Sequence, residues 1–171
     1  PKTASPENPA PLVIYAHGGS DGISVQTAYC IELSRRGYAV VTWDASGAVE
    51  SENSRSKTSG AESIYQMVSK WDFVDTHNII TAGHSAGANL TMSIAQAHPE
   101  DVLLQMNIGF DMYGEPELGY GFNFVLLISE WDDSCIARTT NSGTISEVFQ
   151  AKKLKDIFGI PEDETLVVDQ V

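Results

Sequence analysis

Short apolar runs alternate along this chain with stretches whose apolar residues recur at helical spacing. Leu12-Val13-Ile14-Tyr15-Ala16 is a continuous apolar run ended by His17-Gly18-Gly19, the pattern of a buried strand entering a glycine turn. A helix is expected next, because Val25, Tyr29, Ile31 and Leu33 fall in a segment that stops at Gly37. Arg35 and Arg36 just before that stop suit the carbonyl end of a helix. Residues 39–43 read as a second strand, and residues 46–60, rich in Ser, Gly and charge, read as a loop. Ile64, Met67, Val68 and Trp71 stand at i, i+3, i+4 and i+7, the stripe by which a helix packs on a sheet. Residues 79–82 form the next strand. After a turn at 83–87, a helix runs through Leu90, Ile94 and Ala97 until Pro99 stops it. Residues 103–110 and 124–129 predict two further strands. Ile145, Val148, Phe149, Leu154, Ile157 and Phe158 predict a helix closed by Gly159 and Pro161, and residues 165–168 open a last strand.

Strands that alternate with helices in this way predict an α/β domain: a mostly parallel sheet with helices on both faces and binding groups at the carboxyl ends of the strands. The 171 residues suffice for one domain, expected to span 12–171. Residues 1–11, punctuated by Pro1, Pro6, Pro9 and Pro11, read as a connecting segment.

Composition narrows the classes of partner. A hydrophobic share of 42% with 19% charged residues is that of a folded soluble protein, and no apolar run approaches the ~20 residues of a membrane helix. Twenty-three acidic against ten basic side chains give a net charge of −13, which repels nucleic-acid backbones and anionic lipid surfaces. Cys30 and Cys135 lack the close spacing of a metal or redox motif, so they are expected as buried thiols. Cytoplasmic and secreted settings fit equally, and the oligomeric state is not encoded in any pattern here.

The chemistry is concentrated in Gly83-His84-Ser85-Ala86-Gly87, which matches G-x-S-x-G and lies between a predicted strand and a predicted helix. A serine hydroxyl attacks an acyl carbon only when exposed, held in place and deprotonated by a base. A sharp strand-to-helix turn supplies the first two conditions. Gly83 and Gly87 lack side chains and so let strand and helix approach closely around the serine.

With Ala16-His17-Gly18-Gly19 after the first strand, the run from Arg36 to Val41 before Asp44, and this turn, the chain resembles the α/β-hydrolase superfamily from Leu12 onward. It is loosely similar to compact esterases of the dienelactone-hydrolase and polyester-depolymerase kind. The resemblance implies Ser85 as nucleophile and an oxyanion hole built from the Ala86 N–H and from Gly19, with Gly18 as its neighbour. It implies an acid after the strand at 124–129, where counting from the strand end favours Asp133 over Asp132, with Glu130 behind both. His17 and His84 are expected to brace their loops rather than transfer protons, and Asp44, Asp72 and Asp75 to serve as caps or exposed polar groups. The roughly a dozen residues between 110 and 124 leave no room for a lid domain, and Met112, Tyr113, Tyr120 or Phe122 could line an open site.

Such a site implies a serine hydrolase that cleaves small or polymeric carboxylic esters through an acyl-enzyme, without metal or organic cofactor. Two other readings stay open: a peptidase, thioesterase or amidase of the same fold, and a non-catalytic binding protein or inactive fragment. The last is raised by the histidines. In the family the base follows the acid, yet His17, His77, His84 and His98 all precede Asp133. Residues 165–168 resemble the strand after which the family places its base, and two leading strands of the family have no counterpart before Leu12. A domain incomplete at both ends is therefore expected.

Overall fold

A computed structural model describes residues 1–19, 22–45, 57–109 and 123–127. Among these residues, five strands alternate with three helices: β1 (Ala10–Ala16), α1 (Thr27–Arg35), β2 (Ala39–Trp43), α2 (Lys57–Val68), β3 (Val74–His84), α3 (Ala86–Ala97), β4 (Val102–Ile108) and β5 (Asn123–Leu127). A 3₁₀ turn over Ile23–Gln26 leads into α1. The strands form one sheet in the order β2-β1-β3-β4-β5, and every pairing is parallel.

Side chains of β1 alternate between the two faces, as the pleat requires. Leu12, Ile14 and Ala16 join Ile79, the α2 residues Ala61, Tyr65 and Val68, and the α3 residues Leu90, Ile94 and Ala95 in one cluster. Val13 and Tyr15 join Ala82, with Leu33 of α1, Tyr38, Met106 and Ile108 packed against them. Thus α2 and α3 cover one face and α1 the other, the layered α/β arrangement that the alternation predicts.

Differences from the sequence reading have local causes. Chain pairing extends β1 back to Ala10, because the Ala10 N–H donates to the Phe73 carbonyl at 2.9 Å and Ala10 pairs with Val74. Strand β3 begins at Val74 rather than 79, interrupted by a register shift against Pro11/Leu12. There Asp75 accepts from the His77 N–H at 3.1 Å and from Asn78 Nδ2 at 2.6 Å, a turn built into the strand. On α2, the fully buried line is Ala61, Tyr65 and Val68. Met67 turns outward at 45% exposure, and Ile64 and Trp71 are half-buried. The helix opens at Lys57, inside the stretch read as loop. Helix α1 buries none of its residues fully, and Tyr29 and Ile31 face outward. Strand β4 opens at Val102, and a register shift between Ile79 and Ile80 falls opposite Leu103, which is exposed. The expected helix at 145–158, the strand at 165–168 and the aromatic lining from Met112 to Phe122 lie outside the described residues.

Among the described residues no helix is long and apolar enough to cross a membrane.

Candidate active site

The chain leaves β1 to form β2 on one side and then crosses to β3 on the other, so the sheet has a switch point between β1 and β3. Loops at the carboxyl ends of two such strands diverge and leave a crevice where ligands bind in open α/β sheets. The His17-Gly18-Gly19 loop leaves β1 on one side of this crevice, and Ser85 leaves β3 on the other.

Ser85 has φ 51° and ψ −122°, the only positive φ among the described non-glycine residues. A side chain held there costs about 1–3 kcal/mol and persists only when its surroundings impose it. Four contacts do so. The Ser85 N–H donates to the Ile108 carbonyl at 2.9 Å, which ties the turn to β4, and the Ala88 N–H donates to the Ser85 carbonyl at 3.0 Å, which starts α3. A Cβ on Gly83 would lie 2.5 Å from backbone atoms of Gly87 and Ala88. One on Gly87 would lie 2.3 Å from the Ala16 carbonyl oxygen. Both positions therefore require glycine, and their closeness is what folds the turn sharply enough to lift the serine out. Ser85 itself is half-buried and Ala86 exposed.

Gly18 sits against the serine. A Cβ there would lie 3.1 Å from Ser85 Cβ and 2.8 Å from His84 Nδ1. Gly19, next along, has φ 48° and is exposed. In the first turn of α3 the Ala88 N–H is taken by the Ser85 carbonyl, the Ala86 and Gly87 N–H groups ahead of it have no acceptor within the helix, and Ser85 gives them no side-chain cap. Free amides at the positive end of a helix, facing a glycine loop across a narrow gap, can hold a developing negative charge on oxygen.

His17 is 2% exposed, and its Nε2 accepts the Ala45 N–H at 3.0 Å. That bond puts the ring proton on Nδ1, which faces the Gly18 carbonyl at 3.2 Å. The imidazole thus pins the β1 loop to the end of β2. Asp44 caps the 3₁₀ turn by accepting the Ile23 N–H at 2.9 Å.

His77 and His98 belong to another cluster. Asp101 accepts from the Tyr65 hydroxyl at 2.5 Å and faces His77 Nδ1 at 3.2 Å, while His98 stacks on Tyr65 at 3.7 Å and meets Glu62 at 3.0 Å. Burial, together with the hydrogen bond to Asp101, raises the Tyr65 hydroxyl far above the ordinary tyrosine value. His77 is ~25 Å from Ser85 along β3, and His98 ~18 Å from it along α3. Among the described residues no side-chain hydrogen bond reaches Ser85 Oγ. Asp132, Asp133 and Glu130 lie outside those residues, as does Cys135. Cys30 is a free, half-buried thiol, and burial raises its pKa, which makes it a poorer nucleophile.

One feature escaped the sequence reading. Gln105 and Asn107 of β4 are both fully buried beneath α3, beside Thr81 and Thr91. Their signal was the pair of amides at alternate positions of an otherwise apolar strand. An open groove lined by Ile23, Thr27, Ile31, Ala39, Val40 and Thr42 runs between α1 and β2 and includes neither Ser85 nor its loop neighbours.

A parallel sheet covered on both faces, with a strained serine between strand and helix and a glycine loop against it, defines the α/β-hydrolase class. Residues 7–108 match the family described as "Serine aminopeptidase, S33", and the chain belongs to that family. Among solved structures it is similar to a hyperthermophilic esterase from the archaeon Pyrobaculum calidifontis, at 27% identity and TM-score 0.51, covering 64% of this chain and 39% of that one. A thermostable carboxylesterase cloned from a metagenomic library matches at 28% identity and TM-score 0.52, covering 64% of this chain and 42% of that one. The thioesterase domain of the curacin biosynthetic pathway, at 22% identity and TM-score 0.53, covers 66% of this chain and 40% of its own and bears on the fold alone. This chain thus spans well under half the length of these three proteins. No curated protein matches it in sequence.

Proposed function

We propose that this chain carries the nucleophile and oxyanion hole of a serine hydrolase that cleaves carboxylic esters through an acyl-enzyme on Ser85. The observation that carries the reading is the strained Ser85 backbone, held between β3 and α3 with Gly18 packed against it. Strain at a non-glycine residue is costly, and a turn that retains it presents the hydroxyl to an incoming carbonyl. Ser85 Oγ attacks the acyl carbon, the Ala86 N–H and the Gly19 loop with Gly18 stabilise the oxyanion, and the alcohol leaves. Water then hydrolyses the acyl-enzyme. Asp133, or Asp132 beside it, is the acid that orients the base. Small or polymeric esters are the substrates proposed, and the esterase and the carboxylesterase among the similar structures support that class.

A second reading, peptide or thioester cleavage by the same serine, is favoured by the aminopeptidase description of the family and by the thioesterase fold neighbour. A third, binding without turnover, is favoured by the absence, among the described residues, of any histidine bonded to Ser85. Intact-mass analysis after fluorophosphonate treatment of a form of the protein that supplies the base tests the nucleophile: a single adduct on Ser85 supports the reading, and none overturns it. A panel of p-nitrophenyl esters, a thioester and aminoacyl p-nitroanilides, each with Ser85→Ala as control, separates the substrate classes.

A further inference from the structure

The buried amides of β4 take no part in the reaction as written, yet they reach the helix that carries the oxyanion donor. Gln105 Nε2 lies 3.0 Å from Thr91 Oγ1 on α3, and Gln105 Oε1 accepts from the Thr81 hydroxyl on β3. Thr91 Oγ1 in turn lies 3.3 Å from the Gly87 carbonyl oxygen and 3.2 Å from that of Ala88. All three side chains are fully buried, and the bridge from β3 through β4 to α3 stands in either orientation of the Gln105 amide. Asn107, directly along β4, binds the same amide and leaves its own Nδ2 without a partner among the described residues. Apolar side chains would fill this layer without an orphan donor. The strand keeps the amides, and they hold one particular part of α3.

We propose that Gln105, acting through Thr91, is a positioning residue for the nucleophile turn. The inference rests on the assignment of Ser85 and Ala86 given above. The amino-terminal half of α3 has two anchors: Gly87 pressed on the end of β1, and Thr91, one turn further on, hung from Gln105 and bonded back to the Gly87 and Ala88 carbonyls. The first fixes how close the helix comes to the sheet. The second fixes its rotation about that contact, and with it the direction of the Ala86 N–H. Small displacements of such a donor cost rate rather than ground-state binding, since the charge it stabilises develops only in the transition state.

The test compares the full chain with Gln105→Met, which keeps length and bulk but loses the amide, and with Thr91→Val and Thr91→Ser. Two readouts are taken: hydrolysis of p-nitrophenyl acetate with fluorophosphonate labelling of Ser85, and amide hydrogen exchange resolved along α3. Gln105→Met and Thr91→Val should each lower kcat about tenfold or more with KM changed by less than about twofold. Thr91→Ser, which keeps the hydroxyl, should restore it. The double variant should be no worse than the poorer single one, because both cut the same bridge. Exchange at residues 86–90 should quicken while residues 93–97 keep their protection. Uniform loss of protection along α3, with kcat per folded molecule unchanged, would make Gln105 a structural residue only and overturn the proposal. If Gln105→Met does not fold, the Thr91 pair decides. If Ser85 takes no label even in a form of the protein that supplies the base, the active-site reading fails by itself, and the exchange pattern still decides whether the bridge positions the turn.

Discussion

The Gly87 backbone lies so close to the end of β1 that a Cβ there would stand 2.3 Å from the Ala16 carbonyl oxygen. No methyl group fits, and the obstacle is backbone, which cannot rotate away. Gly87→Ala should therefore cost about 3 kcal/mol or more, read as the urea midpoint of the chain. Gly60 is the control, since nothing stands within 4 Å of its Cβ position and it lies in α2. There, alanine should stabilise by about 0.5–1 kcal/mol through helix propensity. Equal effects at the two sites would show that the close approach of β1 and α3 is not as described.

Replacing Ser85 should separate chemistry from strain. Ser85→Ala removes the hydroxyl but keeps a Cβ at φ 51°, so labelling and any turnover through an acyl-enzyme should vanish while stability stays unchanged. Ser85→Gly should abolish both as well, yet stabilise the fold by about 1 kcal/mol, because glycine tolerates that backbone. Thermal denaturation of the three proteins checks this. A destabilised Ser85→Gly would mean that the turn is not strained.

The acid can be assigned by kinetics. If Asp133 orients the base, then in a form of the protein that supplies that base Asp133→Asn should lower kcat by as much as about 10⁴-fold and Asp132→Asn by far less, since only the partner of the imidazole sets its tautomer. The reverse order would transfer the role to Asp132.

Much of this fold is readable from sequence because the local signals and the tertiary environment agree. Residues 39–43 form a strand as expected, and the glycines flanking Ser85 are explained by contacts their spacing already implied. Periodicity failed where more than one face of a helix finds a neighbour. Met67 and Val68 are adjacent in the same apolar stripe, but only Val68 points to the sheet, and Tyr65 takes the place given to Met67. The part played by His17 was legible only in outline. That it braces its loop is what the resemblance implies, whereas its partner, the Ala45 N–H, comes from a strand end distant in sequence. The amides of β4 were missed because a polar residue in a strand is ordinarily assigned to solvent, and nothing local announces that Thr91 will face Gln105.

Acid should weaken the fold at two carboxylates. Burial alone would raise the Glu62 pKa, but hydrogen bonds from Gln66 and His98 and the charge of His98 outweigh it and hold the group below its ordinary 4.5. Asp75 is held below 3.8 by the Asn78 side chain and the His77 N–H. A folded value below the unfolded one contributes stability that is complete above the unfolded pKa and is lost as pH falls through the folded one. The urea midpoint should therefore hold steady down to about pH 5 and fall below it. Glu62→Gln and Asp75→Asn should each flatten that fall. An unaltered slope in both variants would place the acid sensitivity elsewhere.

The last prediction concerns the base. A serine hydroxyl needs a histidine within hydrogen-bond reach, and the four in this chain are accounted for. His17 is bonded on both sides of its ring, and its Nε2 is spent as an acceptor for Ala45. His77 faces Asp101 at the amino end of the sheet, and His98 is stacked on Tyr65 and bonded to Glu62 at the far end of α3. His84 is beside Ser85 in sequence, but it is exposed and makes no hydrogen bond to the serine. With no base engaged, oxyanion stabilisation and binding remain, which in triad-deleted enzymes sustain roughly 10³ to 10⁴ over the uncatalysed rate. The 171-residue chain should therefore hydrolyse p-nitrophenyl acetate and butyrate only at that residual level, with no acyl-enzyme burst. Turnover at ordinary esterase rates, abolished by Ser85→Ala, would show that one of the four does reach the serine. His84→Ala would then identify it: loss of that turnover assigns the proton transfer to His84, and its survival would return the search to His17, whose bond to Ala45 would have to break first.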